Sequence, residues 1–167
     1  MRVAILSDLF VTTEVLQTAL EKAFSGSGLD FQYDYLVDSW PATPVQKNDE
    51  INEFVGSDEE VIRHVVEADM ILTHTAPITK RVIDAAPRLM LIGAARGGPT
   101  NINWKACTER GIPVLFAPGR NSTAVSEYTV GLMLAQSRKI TLSHTCLIRE
   151  KRWRGDLYVH SEIGFRA

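Results

Sequence analysis

The first apolar run, Val3 to Leu6 within Arg2 to Ser7, shows no polar alternation, which is how a strand covered on both faces of a parallel sheet reads. From Val11 to Phe24 the period changes: Val11, Val15, Leu16, Ala19, Leu20 and Ala23 recur at helical spacing, and Ser25-Gly26-Ser27-Gly28 ends the helix. Phe31 to Val37 alternates Phe31, Tyr33 and Tyr35 with polar residues, as a strand near a sheet edge does. Pro41 and Pro44 mark Ser39 to Asn48 as loop, and Asp49 to Phe54 reads as a turn with helical character. Asp58 to Val66 is a stronger helix. Ser57 or Asp58 caps it, Glu59 and Glu60 sit at its positive end, and Val61, Ile62, Val65 and Val66 face inward. Asp69 to Thr73 is the next strand, Thr79 to Ala85 a short helix, and Leu89 to Ala94 another strand. Strands alternating with helices predict an open, doubly wound α/β sheet.

Further on, Trp104 to Arg110 forms a short helix stopped by Gly111. Ile112 to Phe116 is a strand that Pro113 assigns to an edge or to the strand start. Asn121, Ser122 and Thr123 offer N-caps for one long helix reaching about Arg149. Its first half is apolar nearly all round, with Ala124, Val125, Tyr128, Val130, Leu132 and Met133. Such a helix has to be covered on several sides, which puts it between two domains or two subunits. The tail from Glu150 to Ala167 is basic at first, through Lys151, Arg152 and Arg154, and supplies no closing element.

Composition removes whole classes of function. A chain of 167 residues, 45% hydrophobic, can bury one substantial core. A formal charge of -2 gives no basic field for phosphates, so nucleic acid is not an expected partner. No run approaches the roughly 20 apolar residues of a membrane span, and the N-terminal run is too short for a signal peptide, so a cytoplasmic protein is expected. Cys107 and Cys146 fall in predicted helices, without Cys or His neighbours at metal-ligand spacing. They read as buried free thiols, and no metal site is expected.

In a doubly wound sheet, ligands bind beyond the carboxyl ends of the strands. Three loops qualify: Ser7-Asp8-Leu9, Thr73-His74-Thr75-Ala76-Pro77, and Arg96-Gly97-Gly98-Pro99-Thr100. Paired glycines allow positive φ and expose consecutive N–H groups to an anion, and Arg96 adds a charge. The plainer alternative is a tight turn into the helix that Asn103 starts. Among the histidines, His64 beside Arg63 reads as a surface residue, and His144 and His160 as structural or solvated. His74, at a strand's carboxyl end, is the one placed for ligand contact, but no carboxylate lies at a recognisable spacing to make it a proton donor.

The run Arg96-Gly-Gly-Pro-Thr-Asn-Ile-Asn103, then Ala106 to Gly111, Ile112-Pro-Val114, Ala117-Pro-Gly-Arg-Asn121 and Ala124-Val-Ser-Glu-Tyr-Thr-Val-Gly-Leu-Met-Leu134, resembles the D-isomer-specific 2-hydroxyacid dehydrogenases. The likeness is dense over about residues 69–140, with departures at Thr100, Asn103 and Ser126. It implies a flavodoxin-like substrate domain over 1–103, incomplete because the family's returning C-terminal segment is missing. It further implies that 104–167 holds the crossover helix region and the start of a Rossmann domain for NAD or NADP. The same resemblance gives backbone N–H groups at Gly97 and Gly98 to the substrate carboxylate, with Arg96 alongside. It makes His74, Thr75 and Ala76 the facing wall, sets Arg120 over the cleft, and brings Val125 toward the nicotinamide.

The substrate implied is a small 2-hydroxy or 2-keto acid, and the region of the long helix is implied to form a homodimer. The family's GxGxxG fingerprint is absent from the sequence, and its catalytic Arg, Glu and His are expected beyond Ala167. The reading is therefore of a truncated N-terminal part that lacks activity by itself. The alternative is a non-catalytic flavodoxin-like module that binds a small carboxylate or a protein partner.

Overall fold

In the computed structural model, which describes residues 1–159, the chain begins with β1 (Arg2–Asp8), α1 (Thr13–Ala23) and β2 (Gln32–Asp38), followed by the short strands β3 (Gln46–Lys47) and β4 (Asn52–Phe54). Next come α2 (Asp58–Val65), β5 (Met70–Thr73), α3 (Lys80–Ala85), β6 (Leu91–Ala94), α4 (Trp104–Glu109) and β7 (Val114–Phe116). The helices α5 (Ser122–Ser137), α6 (Ile140–Ile148) and α7 (Gly155–Val159) complete the described chain. The protein divides into two compact units, Met1–Arg120 and the part from Asn121 onward.

In the first unit a five-stranded parallel sheet runs β2-β1-β5-β6-β7. This is the doubly wound α/β sheet that the hydrophobic pattern predicts, with the aromatic β2 and the proline-preceded β7 at its edges. β1 shows why its sequence has no alternation. Val3 and Ile5 pack on Leu16 and Leu20 of α1, whereas Ala4 and Leu6 join Val61, Val65, Ile71 and Ile92 on the other face. With both faces buried, period two disappears from the sequence. Helix α2 is closed by a full capping box, Ser57 with Glu60, as the Ser-x-x-Glu spacing requires. Val66, expected to face inward, is exposed just past the helix.

Two local expectations are corrected. Asp49 to Phe54 is not helical, because Asn48 Oδ1 accepts from the amides of Glu50 at 2.9 Å and Ile51 at 2.7 Å. That Asx turn takes the backbone donors a helix would need, and β3 and β4 pair as an antiparallel hairpin instead. The long helix is broken, not continuous to Arg149. Lys139 adopts a left-handed φ of 54°, and the amides of Arg138 and Lys139 turn back to Leu134 and Gln136. The chain restarts as α6.

No residue of α5 is buried, and Val125, Tyr128, Val130, Leu132 and Met133 are all exposed. Cys107 and Cys146 are buried free thiols, and burial pushes the Cys107 thiol up to about 11. No helix among the described residues is long and apolar enough to cross a membrane.

Candidate functional site

The carboxyl ends of β1 and β5 carry most of the polar groups that this fold buries, Ser7 and Asp8 on one and Thr73, His74 and Thr75 on the other. Asp8 ends β1, 1% exposed. Its Oδ1 accepts from the amides of Phe10 at 2.9 Å and Val11 at 2.8 Å, while its Oδ2 accepts from Thr75 Oγ1 at 2.8 Å and lies 2.5 Å from His74 Nδ1. Burial works to raise the Asp8 carboxyl. The Val11 amide, His74, Thr75 and the Phe10 amide outweigh it, and the group is held below the ordinary carboxylate range.

His74 is 3% exposed, with its ring stacked on Phe10 and edge-on to Trp40. Its second nitrogen, Nε2, meets Arg120 Nη2 at 3.3 Å. Arginine only donates, so Nε2 accepts, and the proton of a neutral imidazole is on Nδ1, where it is donated to Asp8. Burial holds His74 below the ordinary imidazole value, aided by the charges of Arg120 and Arg96 against the opposing pull of Asp8.

The Asp8 to His74 contact answers the question of a carboxylate partner. It joins residues 66 positions apart, so no local spacing could announce it. The one sequence signal was topological: both lie at carboxyl ends of strands that pair directly, β1 with β5.

Thr75 and Ala76 are fully buried. Thr75 is committed to Asp8, and the Ala76 carbonyl accepts from Asn101 Nδ2 at 2.8 Å. The Asn101 bond ties this segment to the chain just past the glycine loop.

That loop leaves β6 through Ala95, whose amide donates to Thr73 at 2.9 Å. Gly97 and Gly98 do not take the positive φ that their pairing suggests; among the described residues only five other glycines do. Neither glycine amide donates a hydrogen bond within the described residues, and a Cβ at either position would meet nothing within 4 Å. The fold itself therefore does not demand glycine here.

Arg96, expected to lend its charge to the loop, is engaged elsewhere. Its Nη1 donates to the Glu53 carbonyl at 2.8 Å and its Nη2 pairs with the Glu53 carboxylate, which also accepts from Thr100 Oγ1 at 3.2 Å. Glu53 itself has φ 54°, and the neighbouring Asn52 amide donates to the Thr100 carbonyl at 2.9 Å. The hairpin thus grips the glycine bend on both sides. Sequence reasoning missed this, having read the segment as a turn of helix.

Arg120, at the end of the first unit, is exposed, and its segment is tied to the loop by the Ala117 amide, which donates to the Arg96 carbonyl at 2.8 Å. Val125 lies on α5 in the second unit. Of the other histidines, His64 is half-buried with its Nδ1 2.5 Å from Asp34, His144 is exposed, and His160 lies outside the described residues. Asp38, opposite Asp8 in the strand register, was also missed. It is 9% exposed, its Oδ2 has no partner among the described residues, and burial, together with the charges of Glu60 and Asp8, pushes it up to about 6.

Among the described residues no group of three or more His, Cys, Asp or Glu side chains could hold a metal ion. A dinucleotide cradle needs a strand running through a glycine-rich turn into a helix. After β7 the described residues form only helices, so they do not fit that group.

Residues 41–159 match the catalytic domain of the D-isomer specific 2-hydroxyacid dehydrogenases. The chain is 39% identical over 106 residues to D-3-phosphoglycerate dehydrogenase of Methanocaldococcus jannaschii, a match covering 60% of this chain and 20% of that protein. To glyoxylate reductase of Thermofilum pendens it is 37% identical, covering 62% of this chain and 31% of that protein. A solved Pyrococcus horikoshii protein superposes with TM-score 0.57 at 27% identity, over 98% of this chain and 40% of that one. The chain thus spans well under half the length of these relatives.

Proposed function

Since this chain belongs to the D-isomer-specific 2-hydroxyacid dehydrogenase family, we propose that it is the carboxylate-gripping part of an oxidoreductase that interconverts D-2-hydroxy acids and 2-keto acids using NAD or NADP. The observation that carries this is the pair of unspent amides at Gly97 and Gly98, at the carboxyl end of a buried strand with open space against both. Successive free N–H groups in such a bend hold a carboxylate without a dedicated cation. Arg96 fixes the bend through Glu53, the wall of His74, Thr75 and Ala76 bounds it, and Arg120 faces the rest of the acid.

The hydride step belongs to parts of the family's apparatus that this sequence does not contain: a held nicotinamide, a carbonyl-polarising cation and a proton donor. Val125 is assigned to the cofactor side, and the exposed apolar α5 to a homodimer contact. The chain by itself is therefore a binder and not a catalyst.

Glycolate titrated into the 167-residue chain should shift the Gly97 and Gly98 amide resonances together and saturably. Absence of a shift there, or dominant shifts elsewhere, overturns the carboxylate assignment. No NADH-dependent reduction of glyoxylate is expected from the same protein. Clear turnover would overturn the division between binding and redox parts.

A further inference from the structure

We propose that Asp8 is a positioning residue that acts through His74 to hold the Arg120 guanidinium for an acceptor oxygen on the carbon beyond C2 of the bound acid. The ligand half rests on the carboxylate reading above; the relay half does not.

The relay follows from what each group can do. Asp8 is buried, and two backbone amides fix its orientation. Phe10 and Trp40 constrain the plane of the His74 ring, and the bond to Asp8 sets which nitrogen faces inward. With its Nδ1 proton given to Asp8, Nε2 presents a lone pair outward, and that lone pair takes an Arg120 N–H at 3.3 Å. An imidazole of the other tautomer would point N–H at N–H and release the arginine.

Contrast with four other arginines of the first unit shows the consequence. Arg2, Arg81, Arg88 and Arg96 each meet a carboxylate. Arg120 meets a neutral nitrogen, its remaining donors meet no carboxylate among the described residues, and it is exposed. Those donors accept nothing, so the group they select is an oxygen with lone pairs: a hydroxyl or a carboxylate at C3.

Two measurements on the chain test this. Nitrogen NMR of the His74 imidazole should show the Nδ1–H tautomer; the Nε2–H tautomer would overturn the relay whatever the ligand does. Binding of glycolate, D-glycerate and tartronate, followed at the Gly97 and Gly98 amides, should show the two acids with oxygen at C3 preferred over glycolate by about tenfold, the scale of one charged hydrogen bond.

Asp8→Asn, whose amide donates to Nδ1, should switch the tautomer and abolish the preference. Should that variant fail to fold, His74→Gln and His74→Leu serve instead. Gln can donate to Asp8 and accept from Arg120 and should keep most of the preference, whereas Leu should bring it close to one. Equal preference in the two His74 variants, or in Arg120→Ala and wild type, overturns the proposal. Loss of all glycolate shifts with the Nδ1–H tautomer intact would instead sink the carboxylate reading together with the ligand half, leaving the relay standing.

Discussion

Arg96 Nη1 donates to the backbone carbonyl of Glu53 at 2.8 Å while the two side chains pair, so a residue 43 positions upstream sets the glycine bend. Glu53→Gln keeps the volume and removes the charge that holds both Arg96 and Thr100. The pair is partly solvent-exposed, so its worth is small, and glycolate affinity should fall by no more than about fivefold. Hydrogen exchange at the Asn52 amide, which donates to the Thr100 carbonyl, should accelerate while the melting temperature barely moves. An unchanged exchange rate would show that the bend holds itself.

Acidification should destabilise the first unit through two groups with the same sign. Asp8 is held below the ordinary carboxylate value of 3.8, so its contribution is present above that value and is lost as pH falls through its depressed pKa. His74 is held below 6.5, so the unfolded chain takes up its proton first, and stability declines as pH falls from 6.5 toward the lowered value. Melting temperature against pH should show both declines, and His74→Gln should remove the upper one. A profile indifferent to that substitution would contradict the neutral, buried imidazole.

Asp38 works in the opposite direction. Its folded pKa is raised from 3.8 to about 6, so stability is greatest below 3.8 and is lost as pH rises through about 6. Asp38→Asn should therefore raise stability at neutral pH by about 2 to 3 kcal/mol, converting roughly two pKa units, and the gain should vanish near pH 4. Denaturant unfolding at both pH values measures it. The neighbouring Gly56→Ala should destabilise by about 1 to 3 kcal/mol, because φ is +92° and the new Cβ would lie 2.9 Å from Asp38 Oδ1.

Apolar residues on α5 should drive association of the chain. Tyr128 is 70% exposed and Met133 66%, with Val125, Val130 and Leu132 also open, and clustered exposed apolar side chains mark contact surfaces. Sedimentation velocity should reveal concentration-dependent dimers or larger species, and Met133→Glu with Tyr128→Lys should shift the population to monomer. A compact wild-type monomer at high concentration would refute the assignment of α5 to a subunit contact.

The pattern of apolar positions by itself determined the layer structure. A run such as Val3 to Leu6 can only be buried on both sides, and the 3.6-residue repeat of α1 or the Ser57 to Glu60 spacing is stated within a dozen residues. Short-range chemistry also fixed the glycine loop at a strand end and Asn103 as the cap of α4, where its Oδ1 accepts from Ala106 at 3.0 Å.

What only the tertiary structure decided is which distant polar groups meet. The β3–β4 hairpin delivered Glu53 to Arg96, and the pairing of β1 with β5 delivered Asp8 to His74. The reason is that hydrophobic burial is periodic and leaves its mark in neighbouring residues, whereas a buried hydrogen bond depends on direction and distance between atoms that the sheet order brings together.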